Sequence, residues 1–184
     1  MQNNEKLRTF ICIDFPSEVI KEIARIQSLV NKQNFTGKLI ELENLHLTLK
    51  FLGEINSKTL DKVKRDLSTI KFNTLNLQLS HVGTFNYKGN PRIVWLKVTG
   101  DIFNLQKQID ASLEKLFPKE QRFMSHLTIA RVKYAKDKKG FINYISNVKC
   151  KNIKFSINNF KLKTSELKPS GPIYNTIAQY PLSI

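Results

Sequence analysis

Leu45-His46-Leu47-Thr48-Leu49-Lys50-Phe51-Leu52 carries a His-Leu-Thr tripeptide, and Ser125-His126-Leu127-Thr128-Ile129-Ala130 carries a second, its histidine 80 residues after the first. Both stretches read as β-strands. Alternate residues of a strand share a face, so His46 and Thr48 point the same way, roughly 6.6 Å apart along the chain, and His126 and Thr128 do likewise. Leu47, Leu49, Leu127 and Ile129 take the opposite, apolar face. Each strand thus turns a core face inward and presents an imidazole and a hydroxyl on the other.

Outward from these strands the chain repeats itself. Leu7 to Phe15 reads as a strand, and Pro16-Ser17 opens a helical pattern with Val19, Ile20, Ile23, Ile26, Leu29 and Val30 in phase. A short strand is expected at Leu39 to Leu42. The first His-Leu-Thr strand comes next, closed by Gly53. Ser57 to Ile70 reads as a helix and Leu75 to Leu79 as an alternating strand. In the second half Ile93 to Val98 is strand-like, and Ile102 to Phe117 is helical. The second His-Leu-Thr strand comes after it, then a helix over Lys136 to Val148. One strand is expected over Ile153 to Leu162 and a last over Ile173 to Leu182. Leu75–Leu79 stands against Ile153–Ile157 at an offset of 78. The expected fold is α+β, with two pseudo-symmetric lobes of one domain over residues 1–184, motif one at 46–48 and motif two at 126–128.

Opposed across a cleft, the two polar faces would bring together two imidazoles and two hydroxyls. Imidazole titrates near 6.5, so one ring can be neutral while the other is charged, as concerted general base and general acid catalysis requires. Threonine hydroxyls can donate to phosphoryl oxygens. No carboxylate pair accompanies the histidines, and no nucleophile elbow, Walker loop or dinucleotide fingerprint occurs.

Composition sets the bounds. The chain has 184 residues, 41% hydrophobic and 24% charged, which fits a folded globular chain. No run approaches the roughly 18 apolar residues of a membrane span, and the polar opening Met1 to Arg8 argues against a signal peptide. Two distant cysteines, Cys12 and Cys150, exclude a disulfide framework and fit a reduced, cytoplasmic setting. The three scattered histidines argue against a metal site. The formal charge of +15 suggests a polyanion partner, nucleic acid first. Against that, 24 of the 30 basic residues are Lys, and Asn (17) and Ile (19) are abundant beside Ala (5), as an A/T-rich genome would produce.

With these residues in view the chain resembles the 2H phosphoesterase superfamily, and within it the bacterial and archaeal RNA 2',3'-cyclic phosphodiesterases, also called 2'-5' RNA ligases. The resemblance runs through Arg8-Thr-Phe-Ile-Cys-Ile-Asp-Phe-Pro16, Glu43 to Gly53, Gly83-Thr-Phe85, Pro91 to Leu96, Ser125 to Arg131 and Gly171-Pro-Ile-Tyr174. It departs at Ser125, where the family usually has proline. It implies two antiparallel sheets facing across a cleft, helices packed outside, and metal-independent hydrolysis of RNA 2',3'-cyclic phosphate ends to 2'-phosphates. It implies His46 as proton donor to the departing 3'-oxygen, His126 as the base that activates water, and Thr48 and Thr128 as phosphoryl contacts. The same site can run backward as a 2'-5' ligase. The expected partner is single-stranded or tRNA-derived RNA with a cyclic phosphate end, met by a monomer without cofactor or membrane. Hydrolysis of another small cyclic phosphate or nucleotide diester, and non-catalytic RNA binding, remain as alternatives.

Single residues are weighed within that frame. The family has an arginine at the place of Arg131, here expected on phosphate, yet strand parity sets it opposite His126 unless a bulge intervenes. Phe51 and Trp95 are expected in the core, Lys50 in solvent, and His81 in a structural role. Phe10, Phe85, Phe123 and Tyr174 are candidates for stacking on a base.

Overall fold

The structure, a computed structural model, describes residues 6–169 and 171–182. Of the opening segment 1–8, residues 1–5 lie outside the described residues. In chain order the elements are β1 (Leu7–Ile13), α1 (Ser17–Asn31), β2 (Phe35–Leu39), a 3₁₀ turn (Leu42–Asn44), β3 (Leu47–Ile55), α2 (Ser57–Ser68), β4 (Leu75–Tyr87) and β5 (Asn90–Gly100). They continue as α3 (Ile102–Ser112), β6 (His126–Ala135), α4 (Lys138–Asn147), β7 (Lys154–Ile157), β8 (Asn159–Lys168) and β9 (Gly171–Pro181).

The strands form two antiparallel sheets, one ordered β3-β1-β8-β9 and the other β2-β6-β5-β4-β7. One His-Leu-Thr strand belongs to each. β4 stands beside β5 as β8 stands beside β1, so the strand that ends each half of the sequence joins the sheet of the other half. The interleaving corrects the alignment of Leu75–Leu79 with Ile153–Ile157: these segments are hydrogen-bonded neighbours, with Leu75 opposite Ile157. Helices cover the outer faces, α4 against β4 and β5, α1 against β2 and β6, α3 against β3, and α2 against β9 and α3. Apolar side chains from both sheets and from α1, α2, α3 and α4 join in one buried cluster.

Local chemistry explains where elements begin and end. α1 buries Val19, Ile23, Ile26 and Val30 at spacings of three and four. Asn56 caps α2, its side chain accepting from the Thr59 amide at 2.9 Å. α3 stops at Ser112 rather than running to Phe117: after Leu113 the chain goes on in turns, the Leu116 and Phe117 amides both bonding back to the Leu113 carbonyl. The expected strand at Leu39–Leu42 lies earlier, at Phe35–Leu39. This is an edge strand with only its outer residues half-buried, so it leaves no apolar run to read. The stretch read as one strand, Ile153–Leu162, is two strands in two sheets. The phase of burial marks the break: Phe155 and Ile157 are buried, then Phe160 and Leu162, so the alternation slips by one residue at Asn158–Asn159.

Candidate active site

A cavity of about 820 Å³ lies between the sheets, lined among others by His46, Thr48, Phe51, His126, Thr128 and Arg131. Both motifs thus meet in one space, as the sequence suggests. His46 stands one residue before β3, and His126 is the first residue of β6.

The two imidazoles are held alike. Nδ1 of His46 lies 2.7 Å from the Asn44 carbonyl, and Nδ1 of His126 lies 2.6 Å from the Met124 carbonyl. A carbonyl only accepts, so each Nδ1 carries the proton and donates. That fixes the tautomer and leaves Nε2 as the nitrogen free for chemistry. Each ring is also wedged by aromatics. His46 sits 4.8 Å from Phe10 and 5.1 Å from Tyr174, ring centre to ring centre, and His126 sits 5.0 Å from Phe85. Burial pushes both imidazoles below their usual titration range. The backbone carbonyl opposes the shift in each, while Lys163 reinforces it at His46 and Lys97 at His126.

Bulges set the facing of the residues beyond each motif. In β6, Thr128 is opposite Trp95 and Ala130 opposite Val94, so Ile129 is an extra residue and parity flips. Arg131 thereby joins His126 and Thr128 on the cavity face. In β3, Thr48 is opposite Cys12 and Lys50 opposite Ile11, and a second slip precedes Gly53, whose φ of 72° suits glycine. Gly53 therefore lies within β3 instead of closing it.

The β3 bulge overturns two expectations. Lys50 is not solvated: it turns inward, 4% exposed, ion-pairs with Asp110 and donates to the Pro118 carbonyl at 2.7 Å. Asp110 also accepts from Gln106 and from the Glu120 amide, tying β3 to the segment that leads into the second motif. Phe51 is not core: it is 67% exposed and lines the cavity at the place in motif one that Arg131 takes in motif two.

Trp95 also leaves the core. Val94, Leu96 and Val98 take the buried face of β5, so Trp95 lies half-buried on the other. Its indole covers Gly83, where an added Cβ would sit 2.4 Å from the ring, and lies 5.4 Å from Phe85. His81 is exposed, its ring edge-on to Trp95 at 5.5 Å. Of the stacking candidates, Phe10 is buried and Phe123 packs on Phe103, while Tyr174 lines the cavity.

Sequence reasoning misses Gln27. It is 4% exposed on the apolar stripe of α1, and its Nε2 donates to Ile40 O at 2.7 Å and to Ile129 O at 2.9 Å. The second carbonyl belongs to the β6 bulge. The signal in the sequence is a lone amide between Ile26 and Val30 on a buried face.

The thiols offer no nucleophile. Burial pushes Cys12 up to about 12 and Cys150 to about 11, and both are free. Among the described residues no three His, Cys, Asp or Glu side chains cluster as metal ligands, and no helix is long and apolar enough to cross a membrane.

The LigT like Phosphoesterase family profile matches residues 13–95 and 97–174. An RNA 2',3'-cyclic phosphodiesterase of Methanocaldococcus jannaschii is 35% identical, covering 95% of this chain and 100% of the relative. One from Thermotoga maritima is 33% identical over 93% of each. The crystal structure of TT0787 of Thermus thermophilus superposes with a TM-score of 0.83 at 25% identity, covering 96% of this chain and 98% of that one. Escherichia coli LigT, crystallised with 3'-AMP, shares the fold at a TM-score of 0.75 and 20% identity, over 98% and 99% of the two chains.

Proposed function

This chain belongs to the LigT-like phosphoesterase family, and from that premise we propose that it hydrolyses RNA 2',3'-cyclic phosphate ends to 2'-phosphates, without a metal. One observation carries the reading. Two imidazoles, one from each sheet, are fixed in the same tautomer over one cavity, with a threonine two residues beyond each.

The chemistry derives from that placement. Neutral His126 takes a proton from water at Nε2 as the water oxygen attacks phosphorus. The P–O3' bond breaks, and His46, protonated, gives its Nε2 proton to the departing 3'-oxygen. The product carries a 2'-phosphate, and the pair has exchanged protonation states. Thr48, Thr128 and Arg131 hold the non-bridging oxygens, whose charge grows during attack. Phe51, apolar and exposed inside the cavity, offers its ring to the terminal base. With the 5'-hydroxyl of a second strand in place of water, the same forward step, P–O3' again breaking, makes a 2'-5' linkage. The relatives named for this activity support RNA as the substrate.

The test is product analysis on a defined oligoribonucleotide ending in a 2',3'-cyclic phosphate, with and without EDTA. The expected product is the 2'-phosphate at equal rate in both. Activity lost to chelation and restored by a divalent ion would refute the mechanism, and a 3'-phosphate product would refute the direction of cleavage.

A further inference from the structure

The cavity holds one cation more than the reaction uses. Arg131 lies on the cavity face of β6, beside the second motif. Arg8, on β1, lines the same space. It shares a face with Phe10 and Cys12 by strand alternation, and Phe10 packs on His46. Arg8 is exposed, and no ion pair or hydrogen bond of its side chain occurs among the described residues. Its cross-strand neighbour Glu54 also lines the cavity, yet makes no ion pair with it. Tyr174 lines the same cavity as both guanidiniums. Burial pushes its phenol up while Arg131 and Arg8 oppose the shift, and its hydroxyl has no hydrogen-bond partner among the described residues. A cyclic phosphodiester carries a single negative charge, which Arg131 and the two threonines suffice to hold. A guanidinium and a phenol left over in the same cavity are donors suited to a second phosphate.

Resting on the phosphodiesterase reading, we propose that Arg8, with the Tyr174 hydroxyl, binds the phosphate on the 5' side of the terminal nucleotide, so that the site selects strand ends over lone nucleosides. In an RNA end that phosphate is the only other anion one nucleotide from the reacting centre. The subsite reads the linkage, not the base, and so carries no sequence preference.

The experiment compares a nucleoside 2',3'-cyclic phosphate with the same compound bearing a 5'-phosphate. The wild type favours the 5'-phosphorylated form in kcat/KM on the order of 10- to 100-fold, the scale of a charge-assisted contact. Arg8→Gln brings that ratio to about 1, whereas Arg8→Lys keeps part of it. Tyr174→Phe lowers the ratio by less. Arg131→Gln depresses both substrates and leaves the ratio in place. Because each ratio is internal to one variant, a general loss of folded protein cancels. A wild-type ratio near unity, or a ratio that survives Arg8→Gln, overturns the subsite while leaving the phosphodiesterase reading intact. Hydrolysis of a cyclic-phosphate oligoribonucleotide but of neither compound overturns the subsite alone, and failure on all three overturns that reading and the subsite with it.

Discussion

At the scale of the residue, the two histidines are alike in their tether and differ in their surroundings. Both are held below their usual titration range, chiefly by burial. Catalysis needs one ring protonated and the other neutral, a state most populated midway between the pair's two apparent values. Since burial lowers both, that midpoint lies below 6.5. The kcat/KM profile of the free enzyme is therefore expected to be a bell with its maximum on the acid side of 6.5, falling as pH rises because the acid loses its proton. An optimum above pH 7 would contradict it. Phe51 makes a separate claim. With its ring exposed in the cavity, Phe51→Ala should raise KM for cyclic-phosphate RNA by about 5- to 100-fold, the worth of one stacked base, with little change in stability. A loss of melting temperature with KM unchanged would return Phe51 to a packing role. Ser125, where the resemblance expects proline, is fully buried with its hydroxyl unpartnered among the described residues, and its carbonyl accepts from the Val98 amide at 3.2 Å.

Elements carry the geometry that single residues cannot. The extra residue at Ile129 is what turns Arg131 to the cavity, and Gln27 from α1 holds its carbonyl in place. Gln27→Leu keeps the volume but leaves the Ile40 and Ile129 carbonyls without this donor. It should lower kcat for cyclic-phosphate hydrolysis by about 10-fold or more, because misplacing a catalytic group by a fraction of an ångström is costly. Gln27→Glu, which cannot donate when ionised, should not rescue it, whereas Gln27→Asn should recover part of the rate if its amide reaches. A fall in stability with kcat preserved would show that the amide holds the fold alone. The bulges also explain which residues are legible in the sequence. His46, Thr48, His126 and Thr128 declare themselves because the motif precedes any irregularity. Phe51, Lys50 and Arg131 come after one, where simple parity misassigns every side chain. Gly53 is the one visible trace in β3, and it reads as an end because glycine ends strands more often than it bends them. Trp95 misleads for another reason: an apolar run does not reveal that one of its faces borders a cleft.

Over the whole molecule, the two halves of the sequence are legible as halves, but their strands cross into each other's sheets, a relation no local pattern records. Each His-Leu-Thr strand stays with the first strand of its own half, β3 with β1 and β6 with β5, and lines one wall of a single cavity. The charge of +15 belongs to this scale too. If it serves RNA binding, log affinity for single-stranded oligonucleotides should fall with log salt at a slope of about −0.7 per phosphate contacted. A flat response would assign the lysines to composition. The central claim is that imidazoles from opposite sheets act as acid and base on one phosphorus. The measurement that tests it most directly compares His46→Ala and His126→Ala on cyclic-phosphate RNA and on an aryl phosphodiester, whose leaving group needs no proton. On RNA each variant should lose about 10²- to 10⁴-fold in kcat/KM. On the aryl ester His46→Ala should recover most of the wild-type rate while His126→Ala stays impaired. Equal defects on both substrates would contradict the assignment of His46 as the acid, and the reverse pattern would exchange the two roles.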